Sequence, residues 1–349
     1  IIYMTQPYDM RTRSVTTHFA RFLSGRSHYV SVKGASSNKR EVKTGVPQGS
    51  VLASLLFIIV MNSLPTFLPS GNIFMYADDI TLVVSGANTQ IVNETLNMCL
   101  LKLHQWLQRS KLTLNVSKTK IMLVGSHQRM RTLGNPTLTA SIAGQQLENV
   151  KCFKYLGVFI DNQLNFKKHI EHVSVIIKQK LSVVRRLRNI LSKDHLKQLF
   201  WAYVLPHALY CCNTWSKRSL SNYEVLNKLY KRAAYIISKH TWDTPSQTVF
   251  EELKWPTFRE LLDKAMVCLV FKCVHGISTV KVLNEFIFLD DVAQRNTRST
   301  NKHLLKSYRC KTEFYQNTFF HAGTKLWNNL PIDVRLSKSL SEFKRKINN

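Results

Sequence analysis

Two aspartates stand side by side between two apolar runs, Ile73-Phe74-Met75-Tyr76 before them and Ile80 to Val84 after. Few folds tolerate such a pair. Neighbouring side chains on a strand point to opposite faces, and a carboxylate buried without a partner is costly. The pattern predicts a β-hairpin whose turn, Ala77-Asp78-Asp79, holds both charges at an exposed tip. Divalent cations would offset the repulsion there: hard ions such as Mg2+ accept carboxylate oxygens and keep waters and substrate phosphates as other ligands. Two such ions about 3.5–4 Å apart can activate a hydroxyl and stabilise a leaving phosphate group. A solvated turn satisfies the same two residues, because Asp is a favoured turn residue.

The segments around the hairpin predict an α+β region. Val15, Phe19, Phe22 and Leu23 give a helical period over 11–24, ended by Gly25. Tyr29 to Val32 alternates as a strand does, and Gly34 to Asn38 reads as a turn. Ser50 is placed to cap a helix running to about Leu64, with Pro65 as its stop. Ile91, Leu96, Leu100, Leu103 and Leu107 describe an amphipathic helix from Asn88 to Ser110. Leu112 to Asn115, Ile121 to Val124 and two segments within 147–160, broken at Gly157, read as strands. Residues 1–165 are thus expected to form an antiparallel sheet with helices.

Beyond 165 the period becomes helical. Ile170, Val173, Ile176, Ile177, Leu181, Val184, Leu187 and Ile190 keep a 3.6-residue repeat, decorated by Lys167, Lys168, Lys178, Arg185, Arg186 and Arg188. Helical stretches follow at about 192–210, 219–239 and 258–276. Residues 290–312 read as a linker, and 313–347 as a helical tail carrying Phe314, Phe319, Phe320 and Trp327. The organisation expected is 1–165, 166–240 and 241–349.

Charge narrows the partner. Forty-nine Lys and Arg against 21 Asp and Glu leave a net charge of +28, spread along the chain. An extended cationic surface suits a phosphate backbone, although ribosomal and membrane-surface proteins share the balance. Seven cysteines, an odd number with Cys211 and Cys212 adjacent and no CxxC pair, read as buried thiols in a reducing compartment. The longest apolar run, Val51 to Met61, is too short to span a bilayer, and no signal peptide is evident.

Four phrases occur in a fixed order: Gly45-Val46-Pro47-Gln48-Gly49-Ser50-Val51-Leu52 with Leu55 to Ile59; Tyr76-Ala77-Asp78-Asp79; Leu114-Asn115-Val116-Ser117-Lys118-Thr119-Lys120; and Lys154-Tyr155-Leu156-Gly157-Val158. Together they resemble the reverse transcriptase domain of non-LTR retrotransposons of the jockey and LINE type, over about residues 11–190. Lys325 to Pro331 also resembles the carboxy-terminal end of such elements. The resemblance implies a right-hand polymerase palm, an α-helical thumb and a helical carboxy-terminal region. It implies RNA-directed DNA synthesis by two-metal nucleotidyl transfer, with two Mg2+ ions (Mn2+ as the substitute), an RNA template, a DNA primer or duplex, and dNTPs.

Carried over residue by residue, it makes Asp78 and Asp79 the metal ligands. Lys118 or Lys120 becomes the cation beside the pyrophosphate, Lys118 being the preferred one. Pro47, Gln48, Gly49 and Tyr76 would line the nucleotide and template, and Tyr155, Leu156 and Gly157 would grip the primer. The cations of the 167–190 helix would hold the nucleic-acid backbone without reading sequence. The chain departs from the family at Ser54, where Pro is usual, and at Ser63, where Asp is typical. The family's first catalytic aspartate is not matched: Asp9 is the only acid before Glu41, and its context differs. The expectation is an amino-terminally truncated polymerase with two of three carboxylates, inactive alone. The alternative is a non-catalytic nucleic-acid-binding remnant. Either is expected to be intracellular, in cytoplasm and nucleus.

Overall fold

The computed structural model describes residues 17, 19–42, 45–47, 49–68, 72–134, 136–277, 286–292, 303–310 and 312–348. The chain divides into two compact units, one of residues 1–121 with 136–149 and one of 122–135 with 150–349. Both mix helix and strand, as expected. Among the described residues the strands form six separate two-stranded ribbons rather than one sheet. Five are antiparallel, whereas Lys120–Ile121 pairs in parallel with Glu148–Asn149. The expected continuous antiparallel sheet is therefore corrected to isolated ribbons.

The first unit is organised by the helix Thr89–Arg109. Asn88 caps it by accepting from the Ile91 N–H at 2.8 Å. Its buried stripe is Leu96, Cys99, Leu100, Leu103, Trp106 and Leu107, while Ile91, predicted to share it, is exposed. On one side the helix packs against Leu64–Phe67, and Trp106 Nε1 donates to Ser63 Oγ at 2.9 Å. The serine that departs from the family pattern thus satisfies a buried indole N–H. Elsewhere two asparagines one turn apart dock an irregular segment of the chain. Asn93 Oδ1 accepts from the Thr139 N–H, and Asn97 Nδ2 donates to the Thr139 carbonyl, each at 2.8 Å.

Ser50 caps Val51–Met61 as predicted, accepting from the Ala53 N–H at 3.2 Å. The helix breaks at Asn62, not at Pro65. Pro65 begins a further short helix, Leu64–Phe67, because a first-turn N–H has no intrahelical partner to lose. Only the end of the predicted 11–24 helix lies among the described residues, at 17 and 19–23. Tyr29 to Val32 is not one strand: short exposed ribbons pair Ser27–His28 with Arg40–Glu41, and Ser31–Val32 with Ala35–Ser36. Leu112 to Asn115 is irregular and leads into a 3-10 turn at Val116–Lys118.

In the second unit the hairpin Cys152–Tyr155 and Val158–Asp161 feeds the helix Lys167–Leu187. Asp161 shapes the junction: its carboxylate accepts from the backbone N–H groups of Gln163, Asn165 and Phe166. The helix buries Ile170, Val173, Ile177, Leu181 and Val184 into a core shared with Leu196, Phe200, Val204, Trp215, Ile237 and Phe258. Ile190, predicted to continue the stripe, lies past the helix end and is exposed.

Farther on, Leu220–Ser238 and Phe258–Val274 match their periodicity, the latter opened by a Thr257/Glu260 capping box. The helix Ser246–Leu253 escaped prediction. A second core gathers Val270, Phe271, Leu305, Trp327 and Phe343. There the Lys325–Pro331 phrase finds its role. Trp327 is fully buried and donates to the His303 carbonyl at 3.0 Å. Asn328 pairs with both backbone groups of Leu305, at 2.8 and 2.9 Å, as a neighbouring strand would. All seven cysteines are free, and no helix among the described residues is long and apolar enough to cross a membrane.

Candidate nucleotidyl-transfer site

The hairpin Asn72–Tyr76 and Asp79–Val83 closes through a two-residue turn, with Tyr76 opposite Asp79. Asp79 is therefore the first residue of the second strand, not part of the turn. The pleat puts Tyr76 and Asp79 on one face with Phe74 and Thr81, and leaves Ile73, Met75, Ile80 and Leu82 on the other. The second set is half-buried, whereas Tyr76 is 66% exposed. Ala77 holds a left-handed φ of 53°, which costs a non-glycine residue about 1–2 kcal/mol. Such strain is characteristic of turns that must aim particular groups.

Asp78 and Asp79 are both exposed, and neither carboxylate forms a salt bridge or hydrogen bond among the described residues. Two adjacent carboxylates with free oxygens are a donor set suited to a hard divalent cation. They fit a metal ion as a partial site: no group of three or more His, Cys, Asp or Glu is assembled among the described residues.

The other predicted residues fall into separate places. Gln48 lies outside the described residues. Pro47 is half-buried, with its carbonyl accepting from Ser50 Oγ at 3.1 Å, and Gly49 adopts φ 83°, a conformation that favours glycine. Lys118 ends the 3-10 turn, which Asn115 organises by accepting from the Lys118 N–H at 3.2 Å and from Ser117 Oγ at 2.7 Å. The structure separates the two candidate lysines: Lys120 is paired with Glu148, while the Lys118 ammonium is exposed and has no partner among the described residues. No hydrogen bond or ion pair joins Lys118 to the aspartates.

In the second unit, Leu156 (φ 43°) and Gly157 (φ 85°) form the tip of the other hairpin, both left-handed as a primed two-residue turn demands. Sequence reasoning missed the residue that holds this tip. Tyr210 donates its hydroxyl to the Leu156 carbonyl at 2.7 Å, and its ring lies 3.3 Å from where a Cβ on Gly157 would sit. Nothing local in the sequence links positions 54 residues apart.

The basic helix is also sorted by the structure. Lys167, Lys178 and Arg185 fall within about 20° of one line along the exposed face, with Lys168 and Arg186 about 100° away. Arg188 is half-buried beyond the helix, its Nε without a hydrogen-bond partner, so it does not belong to the exposed set. His169 and His172 are not ligands of a common ion. His169 is buried near Trp215, and His172 meets the Phe159 ring edge-on at 5.2 Å. Burial, with a smaller contribution from His172, lowers the His169 pKa below its ordinary value.

Residues 6–160 match the family described as "Reverse transcriptase (RNA-dependent DNA polymerase)". The chain is 25% identical over 251 residues to an RNA-directed DNA polymerase from the mobile element jockey of Drosophila melanogaster, covering 69% of this chain and 27% of that protein. It is 28% identical over 255 residues to a probable RNA-directed DNA polymerase from transposon BS of the same organism, covering 70% and 28%. A Pol polyprotein from a type-1 retrotransposable element R1 of Nasonia vitripennis is 24% identical over 243 residues, covering 68% and 61%. The matched region thus spans little more than a quarter of the two fly polymerases. The exposed aspartate pair, without a side-chain partner among the described residues, therefore lies within a segment that is similar to the RNA-directed DNA polymerases of mobile elements.

Proposed function

We propose that the domain belongs to an RNA-directed DNA polymerase, with Asp78 and Asp79 as ligands of its divalent metals. The observation that carries this reading is the pair of exposed, unpartnered carboxylates on one strained hairpin tip. Mg2+ bound there would supply activation of the primer hydroxyl and charge neutralisation at the leaving pyrophosphate. Asp78 and Asp79 hold the metal-facing oxygens at the tip. Tyr76, on the same face as Asp79, offers a ring against the incoming nucleotide and template, together with the Pro47–Gly49 loop. Lys118, free where Lys120 is not, supplies a cation to the pyrophosphate. Tyr155, Leu156 and Gly157 seat the primer terminus, and Lys167, Lys168, Lys178, Arg185 and Arg186 bind the duplex backbone. In this reading 1–165 serve as palm, 166–240 as thumb and 241–349 as a connector-like tail.

Two carboxylates hold such ions weakly, and Asp9, the other acid ahead of Glu41, lies outside the described residues. Terbium, a hard cation whose emission a nearby phenol sensitises, tests the site. Tb3+ luminescence excited through tyrosine should appear with the purified chain, fall on addition of Mg2+, and vanish in Asp78→Ala and Asp79→Ala. Undiminished luminescence in both variants would sink the metal assignment. Extension of oligo(dT) on poly(A) by this chain should remain at the Asp78→Ala background. Mg2+-dependent extension above that background would show that two carboxylates from this chain suffice.

A further inference from the structure

The helix after Ser192 changes character halfway along. Leu196, Phe200, Val204 and Ala208 are buried at strict four-residue intervals. An α-helix overshoots by about 40° every four residues, so the stripe would drift by about 120° over this span. A π turn at Phe200–Val204 takes up the drift, with the Leu205 N–H donating to the Phe200 carbonyl. Pro206, which has no N–H for the Ala202 carbonyl, favours the same break. The consequence is an outward arc of three residues, Trp201, Ala202 and Tyr203. Trp201 is 36% and Tyr203 41% exposed.

Both rings are held from behind. Trp201 meets Trp255 edge-on at 5.8 Å, and Trp255 stacks on Phe200 at 4.7 Å. The Lys180 ammonium lies 3.4 Å from the Tyr203 ring centroid. The helix Lys167–Leu187 packs against the π turn, and its exposed Arg186 lies about 9 Å along the axis from Lys180. Neither cation forms a salt bridge among the described residues. His172 to Lys193 carries six Lys and Arg and no acid, and no acid occurs from His195 to Tyr223.

We propose that the Trp201–Tyr203 arc, flanked by Lys180 and Arg186, is a stacking platform for an unpaired RNA or DNA strand. Pre-ordered aromatic faces bind bases whose own faces are free, and the adjacent cations bind the phosphates between them. A duplex offers the cations the same phosphates but keeps its bases stacked internally, so the rings discriminate for single strands. Apart from Arg186, which is also assigned to the duplex backbone, this site lies outside the machinery assigned to nucleotidyl transfer. It rests on the nucleic-acid reading of the chain but requires no catalysis.

The test is fluorescence anisotropy of the purified full chain with labelled oligo(dT), alone and annealed to oligo(dA). Trp201→Leu and Tyr203→Leu keep apolar volume but remove the π faces. Each should weaken single-strand binding roughly 5- to 100-fold and leave duplex binding unchanged. Tyr203→Phe should bind as the parent does, and Lys180→Gln should reduce the salt dependence of both probes by about one phosphate contact. Circular dichroism melts check that each variant is folded. If a Leu variant unfolds, Trp201→His, which keeps a flat ring, must retain the single-strand preference. Equal losses on both probes, no loss on either, or a ring-dependent self-association with unchanged oligonucleotide binding would overturn the proposal. Tyrosine-sensitised Tb3+ luminescence at the aspartate pair should be unchanged in Trp201→Leu, so failure of the polymerase reading and failure of the platform are separately visible.

Discussion

Replacing Gly157 by Ala probes the tip of the second unit's first hairpin, where two effects add. The backbone at φ 85° lies in the region that favours glycine, and an L side chain there costs about 1–2 kcal/mol. Part of this, about 0.4–1 kcal/mol, is offset because Ala restricts the unfolded chain. The new Cβ would also sit 3.3 Å from the Tyr210 ring, a contact tight enough to push that ring outward. Displacing Tyr210 weakens its 2.7 Å hydrogen bond to the Leu156 carbonyl, worth about 0.5–1.5 kcal/mol.

The expected net loss is about 2 kcal/mol, which lowers Tm by roughly 4–8 °C for a unit of this size. Tryptophan fluorescence is a suitable readout, since Trp201, Trp215, Trp242, Trp255 and Trp327 all belong to the second unit and only Trp106 to the first. The decisive comparison is a double-mutant cycle. With Tyr210→Ala already present the clash is gone, so Gly157→Ala should then cost only the backbone strain, under about 1 kcal/mol. A cost equal in both backgrounds, within about 0.5 kcal/mol, would refute the clamp by Tyr210.

Three further outcomes follow from the packing. Burial lowers the His169 pKa, so below its ordinary value of 6.5 the unfolded chain binds the proton first and folding stability decreases as the pH is lowered; chemical denaturation across pH should show this slope flattened in His169→Gln. Asn328→Ala leaves the N–H and carbonyl of buried Leu305 without their partners and should cost about 2 kcal/mol, read as a lower urea midpoint. Burial pushes the Cys212 thiol up to about 12, so alkylation followed by mass spectrometry at neutral pH should label exposed Cys211 and spare Cys212.

Several features were legible because their determinants are local. Asn88 and Ser50 cap the helices that follow them, and the alternation around Asp78 and Asp79 requires a hairpin in any surroundings. The stripe from Ile170 to Val184 is buried because a 3.6-residue period leaves a helix no other apolar face. The ordered phrases carried the same resemblance that residues 6–160 show to the reverse transcriptase family. Other readings failed where packing competes with local preference. Pro65 looked like a stop but tolerates the first turn of a new helix. Leu112 to Asn115 looked extended, yet Asn115 turns its side chain back onto the chain and closes a 3-10 turn.

What the sequence determined by itself was the hairpin that carries Asp78 and Asp79, the caps at Ser50 and Asn88 and the helical stripe after Lys167, all set within a few residues along the chain. Only the tertiary structure decided which of Lys118 and Lys120 is free, because Glu148 stands 28 residues away along the chain from the lysine it neutralises. It alone joined Tyr210 to Leu156, gave Asn328 its strand-like partner, and turned Trp201 and Tyr203 outward. Each is a contact between distant residues, selected by how faces pack, and no periodicity within one segment encodes its partner in another.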